Sequence, residues 1–141
     1  MYDVVIIGSG PAGLSAAVYA KRAMLDTLII EKNMMSGGQI VNTYEVDNYL
    51  GLSGINGYDM AVKFREHAEK LGATFMAGEV IGITNEADYK IIKVNGKEDI
   101  LTKTIVVASG ANHRKLNVPG EEELQGMGVS YCATCDGAFF K

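Results

Sequence analysis

Cysteine is nearly absent from this 141-residue chain: there are two, and both lie in one motif, Cys132-Ala133-Thr134-Cys135. That excludes a disulfide framework. A single Cys-x-x-Cys in a reducing compartment reads as redox chemistry rather than as a staple. Long hydrophobic runs are also missing, and no stretch approaches the length needed to span a bilayer. The first apolar run, residues 4–7, is too short for a secretory core and follows no cationic segment. The expectation is a cytoplasmic protein with no membrane partner. Positive charge is not in excess either. Thirteen Lys and Arg stand against 17 Asp and Glu, a net charge of −4, so there is no electrostatic case for nucleic acid. Proline is scarce at 2 residues while glycine reaches 17. With 48% apolar and 21% charged residues the composition is that of a globular chain with one ordinary core, not a disordered one. Internal repeats and low-complexity tracts are lacking.

What is present begins with residues 2–7, a nearly continuous Val/Ile run suited to a strand buried on both faces of a parallel sheet. A glycine turn follows, with Pro11 where a first helical residue would stand. Residues 14–24 read as a helix and residues 27–30 as a second buried strand ended by Glu31, a β-α-β unit in about 30 residues. Residues 33–57 are long, irregular and glycine-rich, the kind of loop that is functional or disordered. Residues 58–71 are amphipathic: Met60, Phe64, Ala68 and Leu71 share a face, with Lys63, Glu66 and Lys70 away from it. Glu66 and Lys70 form a favourable i, i+4 pair, and Gly72 caps the helix. From residue 73 to 101 short strands are expected at 74–76, 79–84 and 89–94, with an Asn95-Gly96 turn before Ile100. Together they read as an antiparallel excursion from the parallel sheet. Residues 104–108 form another buried strand before Ser109-Gly110. The predicted class is α/β, a Rossmann-like domain with a parallel sheet plus an antiparallel β excursion.

Two motifs carry chemistry. Gly8-Ser9-Gly10-Pro11-Ala12-Gly13 has the spacing of a dinucleotide cradle: Gly8 for the tight turn, Gly10 for close approach of the pyrophosphate, Gly13 for helix–strand packing. The helix start supplies N–H groups and a positive dipole end. Glu31 ends the second strand, where a carboxylate accepts from ribose hydroxyls and disfavours a 2′-phosphate, so FAD or NAD suits the site better than NADP. The second motif, Cys132 to Cys135 with Asp136 behind it, can close a small disulfide ring or stand as two thiols, with Asp136 managing protons. Half of a zinc site is the competing reading of these cysteines. It is disfavoured, because structural zinc takes four ligands and only His67 and His113 remain, one on a helix and one in a polar linker. His113-Arg114-Lys115 reads as a solvated basic patch.

These residues resemble the N-terminal part of the low-molecular-weight thioredoxin reductases of bacteria, FAD-dependent members of the pyridine nucleotide-disulfide oxidoreductases. The resemblance rests on residues 5–14, Gly37-Gly38-Gln39-Ile40, residues 45–49, Ala108-Ser109-Gly110-Ala111, and residues 129–137 around the dithiol. It implies that FAD is the bound dinucleotide, with the pyrophosphate on Gly8, Ser9, Gly10, Pro11 and Ala12 and the adenosine ribose on Glu31. It further implies that Gly38, Gln39, Thr43 and Asn48 line the flavin side, that Val80 touches adenine through its backbone, and that Ser109 and Gly110 close over the cofactor. By the same resemblance Cys135 faces the flavin, Cys132 attacks a thioredoxin disulfide and Asp136 is the acid–base residue. NADPH is the implied electron donor, thioredoxin or a similar protein the partner, and a homodimer the implied assembly.

Departures from the family pattern shape the expectation. Members run to about twice this length; here there is no second G-x-G-x-x-A/G for NADPH, nor the C-terminal segment that returns to complete the FAD domain. Tyr49-Leu50-Gly51 replaces an aromatic-Pro-Gly. The implied organisation is an FAD-binding portion at 1–111, a linker at 112–120 containing Pro119-Gly120, and the start of a nucleotide domain at 121–141 bearing the dithiol. Taken alone, such a chain is expected to be inactive. The alternatives are a non-catalytic FAD-binding fragment and a reductase using another donor.

Overall fold

The structure, a computed structural model, describes residues 1–133 and 137. The chain divides into two compact units, residues 1–110 and 111–141.

In the first unit, β1 (Tyr2–Ile7) runs into α1 (Pro11–Arg22), then β2 (Thr27–Glu31), a 3-10 turn (Gly38–Asn42), α2 (Gly57–Lys70), β3 (Thr74–Ala77), β4 (Val80–Asn85), β5 (Lys90–Val94) and β6 (Ile100–Val107). All six strands form one sheet in the order β3-β2-β1-β6-β5-β4. The first four are parallel, while β5 is antiparallel to both β6 and β4. The α/β reading therefore holds, with two corrections. Residues 74–76 do not belong to the antiparallel excursion: β3 pairs in parallel with β2, Leu28 opposite Thr74 through Glu31 opposite Ala77. The preceding α2 makes this possible, because a helical crossover returns the chain parallel to the strand it left. The strands expected separately at Ile100 and at 104–108 are one strand, β6. Its first part pairs with β5 and the rest with β1, so it belongs to both halves of the sheet.

Why these residues form these elements follows from burial. β1 and β2 are buried on both faces, as continuous Val/Ile runs demand. One face, through Val4, Ile6 and Ile29, packs against Leu14 and Ala17 of α1 and Ala68 of α2. The other, through Val5, Leu28 and Ile30, packs against Ile92, Val94 and Ile100 of the antiparallel strands. Each fully buried aliphatic side chain contributes about 1.5–3 kcal/mol.

Both helices differ slightly from expectation. α1 starts at Pro11 and stops at Arg22, and Met24 beyond it takes a positive φ of 61°. On α2 the ion pair that forms is Arg65 with Glu69 at 2.7 Å. Arg65 also stacks on Phe75 at 3.7 Å and donates to Ser36 Oγ, tying the long 33–56 loop to the helix. Asn56 caps α2 by accepting from Asp59 N–H, and Gly72, with φ +84°, follows its end. That loop is not structureless: it holds the 3-10 turn and a bridge between Val46 and Ile55. Among the described residues no helix is long and apolar enough to cross a membrane.

The described residues of the second unit are mostly turns and irregular chain. Residues 111–118 have no regular secondary structure, and a bridge joins Gln125 and Val129.

Candidate functional site

The β1–α1 turn is held from three sides. Gly8 N–H donates to Ile30 C=O at 2.8 Å, Ala108 N–H to Ile7 C=O at 2.8 Å, and Gly37 N–H to Ser9 C=O at 2.8 Å. Gly8 has φ +99°, and a Cβ there would stand 2.3 Å from Ala108 C=O. A Cβ on Gly13 would stand 2.0 Å from Gly8 C=O. Both positions exclude a side chain for reasons internal to the protein. Gly10 is different: its φ is −70°, and a Cβ would meet no protein atom within 4 Å. The space beside Gly10 is open.

That space belongs to a cavity of about 190 Å³. Of the sequence-predicted cofactor residues, Gly8, Gly10, Glu31, Gly38, Val80, Ser109 and Gly110 line it, drawn together from the ends of β1, β2 and β6 and the start of β4. Sequence reasoning missed Lys32, Asn33, Gly78 and Glu79, which also line it. Each lies within two positions of a predicted residue, and the register of β2 with β3 brings the Gly78-Glu79 turn alongside Glu31. Pro11 and Ala12 are exposed at the start of α1. Gln39, Thr43 and Asn48 are exposed and do not line the cavity. A wider surface groove of about 830 Å³ runs past Met1, Tyr2, Met76 and residues 96–101, but none of the predicted site residues reaches it.

Ser9 is fully buried and turns away from the cavity toward Glu31. Its N–H and its Oγ both donate to Glu31 Oε2 at 2.8 Å, while Asn33 N–H donates to Oε1 at 2.8 Å. Partial burial pushes the Glu31 carboxyl up. The backbone bonds from Asn33 and Ser9, with the Ser9 hydroxyl, overcome that and hold it below the usual carboxylate range. Glu31 is thus a fixed anion at the cavity wall with lone pairs to spare. α1 begins without a side-chain cap and with no acidic residue in its first turn, so its orphan N–H groups and positive dipole end are left for a ligand.

The features fit a dinucleotide: an uncapped helix start for a pyrophosphate, open space where a backbone must approach it, and a carboxylate placed for a ribose. The cavity accounts for one end of such a molecule.

In the second unit Cys132 is half-buried and disulfide-bonded, and its N–H donates to Ser130 Oγ at 3.1 Å. Cys135 and Asp136 lie outside the described residues. In the same unit Glu121 is buried and accepts from the N–H groups of Leu116 at 2.8 Å, Asn117 at 2.6 Å and Val118 at 3.4 Å, and from the Tyr131 hydroxyl. Burial raises its pKa; the three backbone bonds and Lys115 outweigh that, and the carboxyl is held low. The basic stretch His113-Arg114-Lys115 is exposed, as expected; within it the His113 ring stacks on Tyr131 at 3.8 Å, and Lys115 pairs with Glu122 at the surface. Among the described residues no three His, Cys, Asp or Glu side chains converge to hold a metal ion.

Against known proteins, the model of the family described as pyridine nucleotide-disulphide oxidoreductase matches residues 2–141. The chain is 49% identical to the thioredoxin reductase of Bacillus subtilis (strain 168), over all of this chain and 44% of that protein. It is 50% identical to a solved thioredoxin reductase of Lactococcus lactis, in its FR conformation, with a TM-score of 0.83 over 99% of this chain and 45% of that one. For the thioredoxin reductase of Streptococcus pyogenes MGAS5005 the identity is 47% and the TM-score 0.86, over 99% of this chain and 45% of that one. The chain spans less than half the length of these relatives.

Proposed function

The chain belongs to the pyridine nucleotide-disulphide oxidoreductase family, and on that premise we propose that it forms the N-terminal part of a flavoprotein disulfide reductase of the thioredoxin reductase type. The observation that carries this reading is the cradle: an uncapped α1 start, open space at Gly10 and a fixed Glu31 carboxylate around one cavity. FAD is the dinucleotide proposed for it, and when bound it would supply an electron-pair relay from NADPH to the dithiol. The chain's own residues hold and orient. The N–H groups at the start of α1 bind the pyrophosphate, and Gly10 lets it approach. Glu31, kept ionised by Ser9 and Asn33, accepts from ribose hydroxyls. Gly38, Val80, Ser109 and Gly110 wall the site, and Gln39, Thr43 and Asn48 serve the flavin side.

The dithiol chemistry is part of the proposal. Reducing the Cys132–Cys135 disulfide breaks one S–S bond and takes up two electrons and two protons. The Cys132 thiolate then attacks a thioredoxin disulfide, forming a mixed disulfide and expelling one thioredoxin sulfur as thiolate. Cys135 displaces Cys132's new partner, closing the disulfide again and releasing reduced thioredoxin. Asp136 carries protons to and from these sulfurs. A homodimer, a cytoplasmic location, and a division into an FAD-binding portion at 1–111, a linker at 112–120 and a redox-bearing start of a nucleotide domain at 121–141 complete the reading.

The visible absorption spectrum of the purified chain tests the cradle. A flavin band with FAD released on denaturation is expected. A colourless chain that also fails to take up added FAD overturns the assignment of these residues as a sufficient FAD site. In the longer protein, Cys132→Ser should abolish NADPH-dependent reduction of thioredoxin.

A further inference from the structure

The dithiol chemistry leaves Glu121 without a task. It is 4% exposed in a stretch of turns, an unusual place for a carboxylate. Three successive backbone N–H groups converge on it, those of Leu116, Asn117 and Val118, and Asn117 adopts φ +58° within that run. The fourth donor, the Tyr131 hydroxyl, comes from ten residues further along the chain. Tyr131 directly precedes Cys132, and its ring lies 18° from parallel to His113. The 116–118 backbone and the side chain of the residue directly before the disulfide-bonded cysteine are therefore tied to a single buried anion. The neighbouring Glu122 does something else, pairing with Lys115.

A phenol–carboxylate bond is charge-assisted and persists when buried, because the anion loses more than a neutral acceptor would if left unpaired. A disulfide closes only within a narrow range of Cα separations. A Tyr131 side chain held at its hydroxyl restrains the chain that leads directly into Cys132.

We propose that Glu121 and Tyr131 are positioning residues for the dithiol: the bond between them holds the Cys132 arm in its disulfide-closing conformation and so sets the ease of its reduction. The inference rests on reading Cys132 and Cys135 as a redox pair.

The test equilibrates the chain in mixtures of reduced and oxidised dithiothreitol, which gives up two electrons and two protons as it closes to its cyclic disulfide. Free thiols are then alkylated and counted by mass. Tyr131→Phe removes the hydroxyl and keeps the ring on His113. It is expected to shift the equilibrium toward the dithiol by about tenfold, the effect of losing a hydrogen bond to a charged group. For a two-electron couple that is about 30 mV toward easier reduction. Glu121→Gln should shift it in the same direction, and the double variant no further than the larger single one, since both delete one bond. A wild-type midpoint in Tyr131→Phe overturns the inference, as does an additive double variant. A wild-type chain that closes no disulfide at all overturns the redox reading instead. Should Glu121→Gln fail to fold, Tyr131→Phe alone decides.

Discussion

Two glutamates gather backbone N–H groups in this chain, and they do so for opposite reasons. Glu31 stands at the end of β2, a strand hydrogen-bonded on both sides to β1 and β3. The sheet fixes its backbone, and Ser9 and Asn33 only orient its carboxylate, leaving lone pairs toward the cavity. Glu121 has no sheet beneath it. Its carboxylate is the framework, and its four donors leave little capacity for a ligand. A carboxylate whose geometry is supplied by the fold is available for binding; one that supplies geometry is used up. The same distinction separates the glycines of the cradle. Gly8 and Gly13 are glycines because protein atoms occupy the space a Cβ would need, whereas at Gly10 that space is open.

The largest effect that sharpens this comparison comes from the glycines. Gly8→Ala combines a strained positive φ with a Cβ driven into Ala108 C=O. It should cost about 3 kcal/mol or more in urea unfolding, the sum of backbone strain and overpacking. Gly10→Ala should leave unfolding within about 0.5 kcal/mol of wild type while sharply weakening FAD binding in a titration. Equal losses of stability in the two variants would erase the distinction. Next comes Ser9→Ala. It removes a buried hydroxyl from Glu31 while the backbone N–H bond survives, so a loss of about 1 kcal/mol is expected, with weaker FAD binding as Glu31 loses its orientation.

A smaller effect follows from pH. Glu31 has a folded-state pKa below its unfolded value. Its stabilisation is therefore fully present above the ordinary carboxylate range and is lost as pH falls through that range toward the lowered folded value. Wild type should lose stability in that window more steeply than Glu31→Gln, measured by urea midpoints across mildly acidic buffers. Parallel curves would mean that the Ser9 and Asn33 bonds contribute nothing net. The smallest effect on global unfolding should come from Glu121→Gln, whose contacts all lie within 111–131. There the signature is local: hydrogen exchange at the amides of Leu116, Asn117 and Val118 accelerates, while amides of β1 exchange as before.

Much of the first unit was legible from local pattern. Val/Ile runs identified β1 and β2, the period of Met60, Phe64 and Ala68 identified α2, and Asn95-Gly96 marked the turn after β5. Pairing was less legible. The β3 segment Thr-Phe-Met-Ala looks the same whether its neighbour is parallel or antiparallel; the helix before it decides. β6 was read as two pieces because Thr102 and Lys103 break the apolar run between Leu101 and the strand expected from Thr104. Yet Thr102 is fully buried, its hydroxyl satisfied by the carbonyls of Tyr2 and Thr104. A satisfied polar group inside a sheet leaves no apolar signal to read.

The candidate site divides the same way. The glycine spacing and the acidic end of β2 were visible along the chain because turn geometry and strand ends are local. Lys32, Asn33, Gly78 and Glu79 joined the cavity only through strand register, and the exposed Gln39, Thr43 and Asn48 stayed off its wall because the 33–56 loop runs along the surface. In the second unit the motif at Cys132 was unmistakable, whereas the bond from Tyr131 to Glu121, ten residues earlier, gave no periodic or compositional sign.

By itself, then, the sequence determined the β-α-β unit with its glycine turn and the Cys-x-x-Cys motif, because both depend on residues a few positions apart whose backbone demands are intrinsic. The tertiary structure alone decided that Ser9 donates to Glu31, that β6 serves both halves of the sheet, and that Glu121 gathers the turn and Tyr131. Each of these is a pairing of groups across the fold, and hydrogen-bond partners at a distance are chosen by geometry that no local pattern encodes.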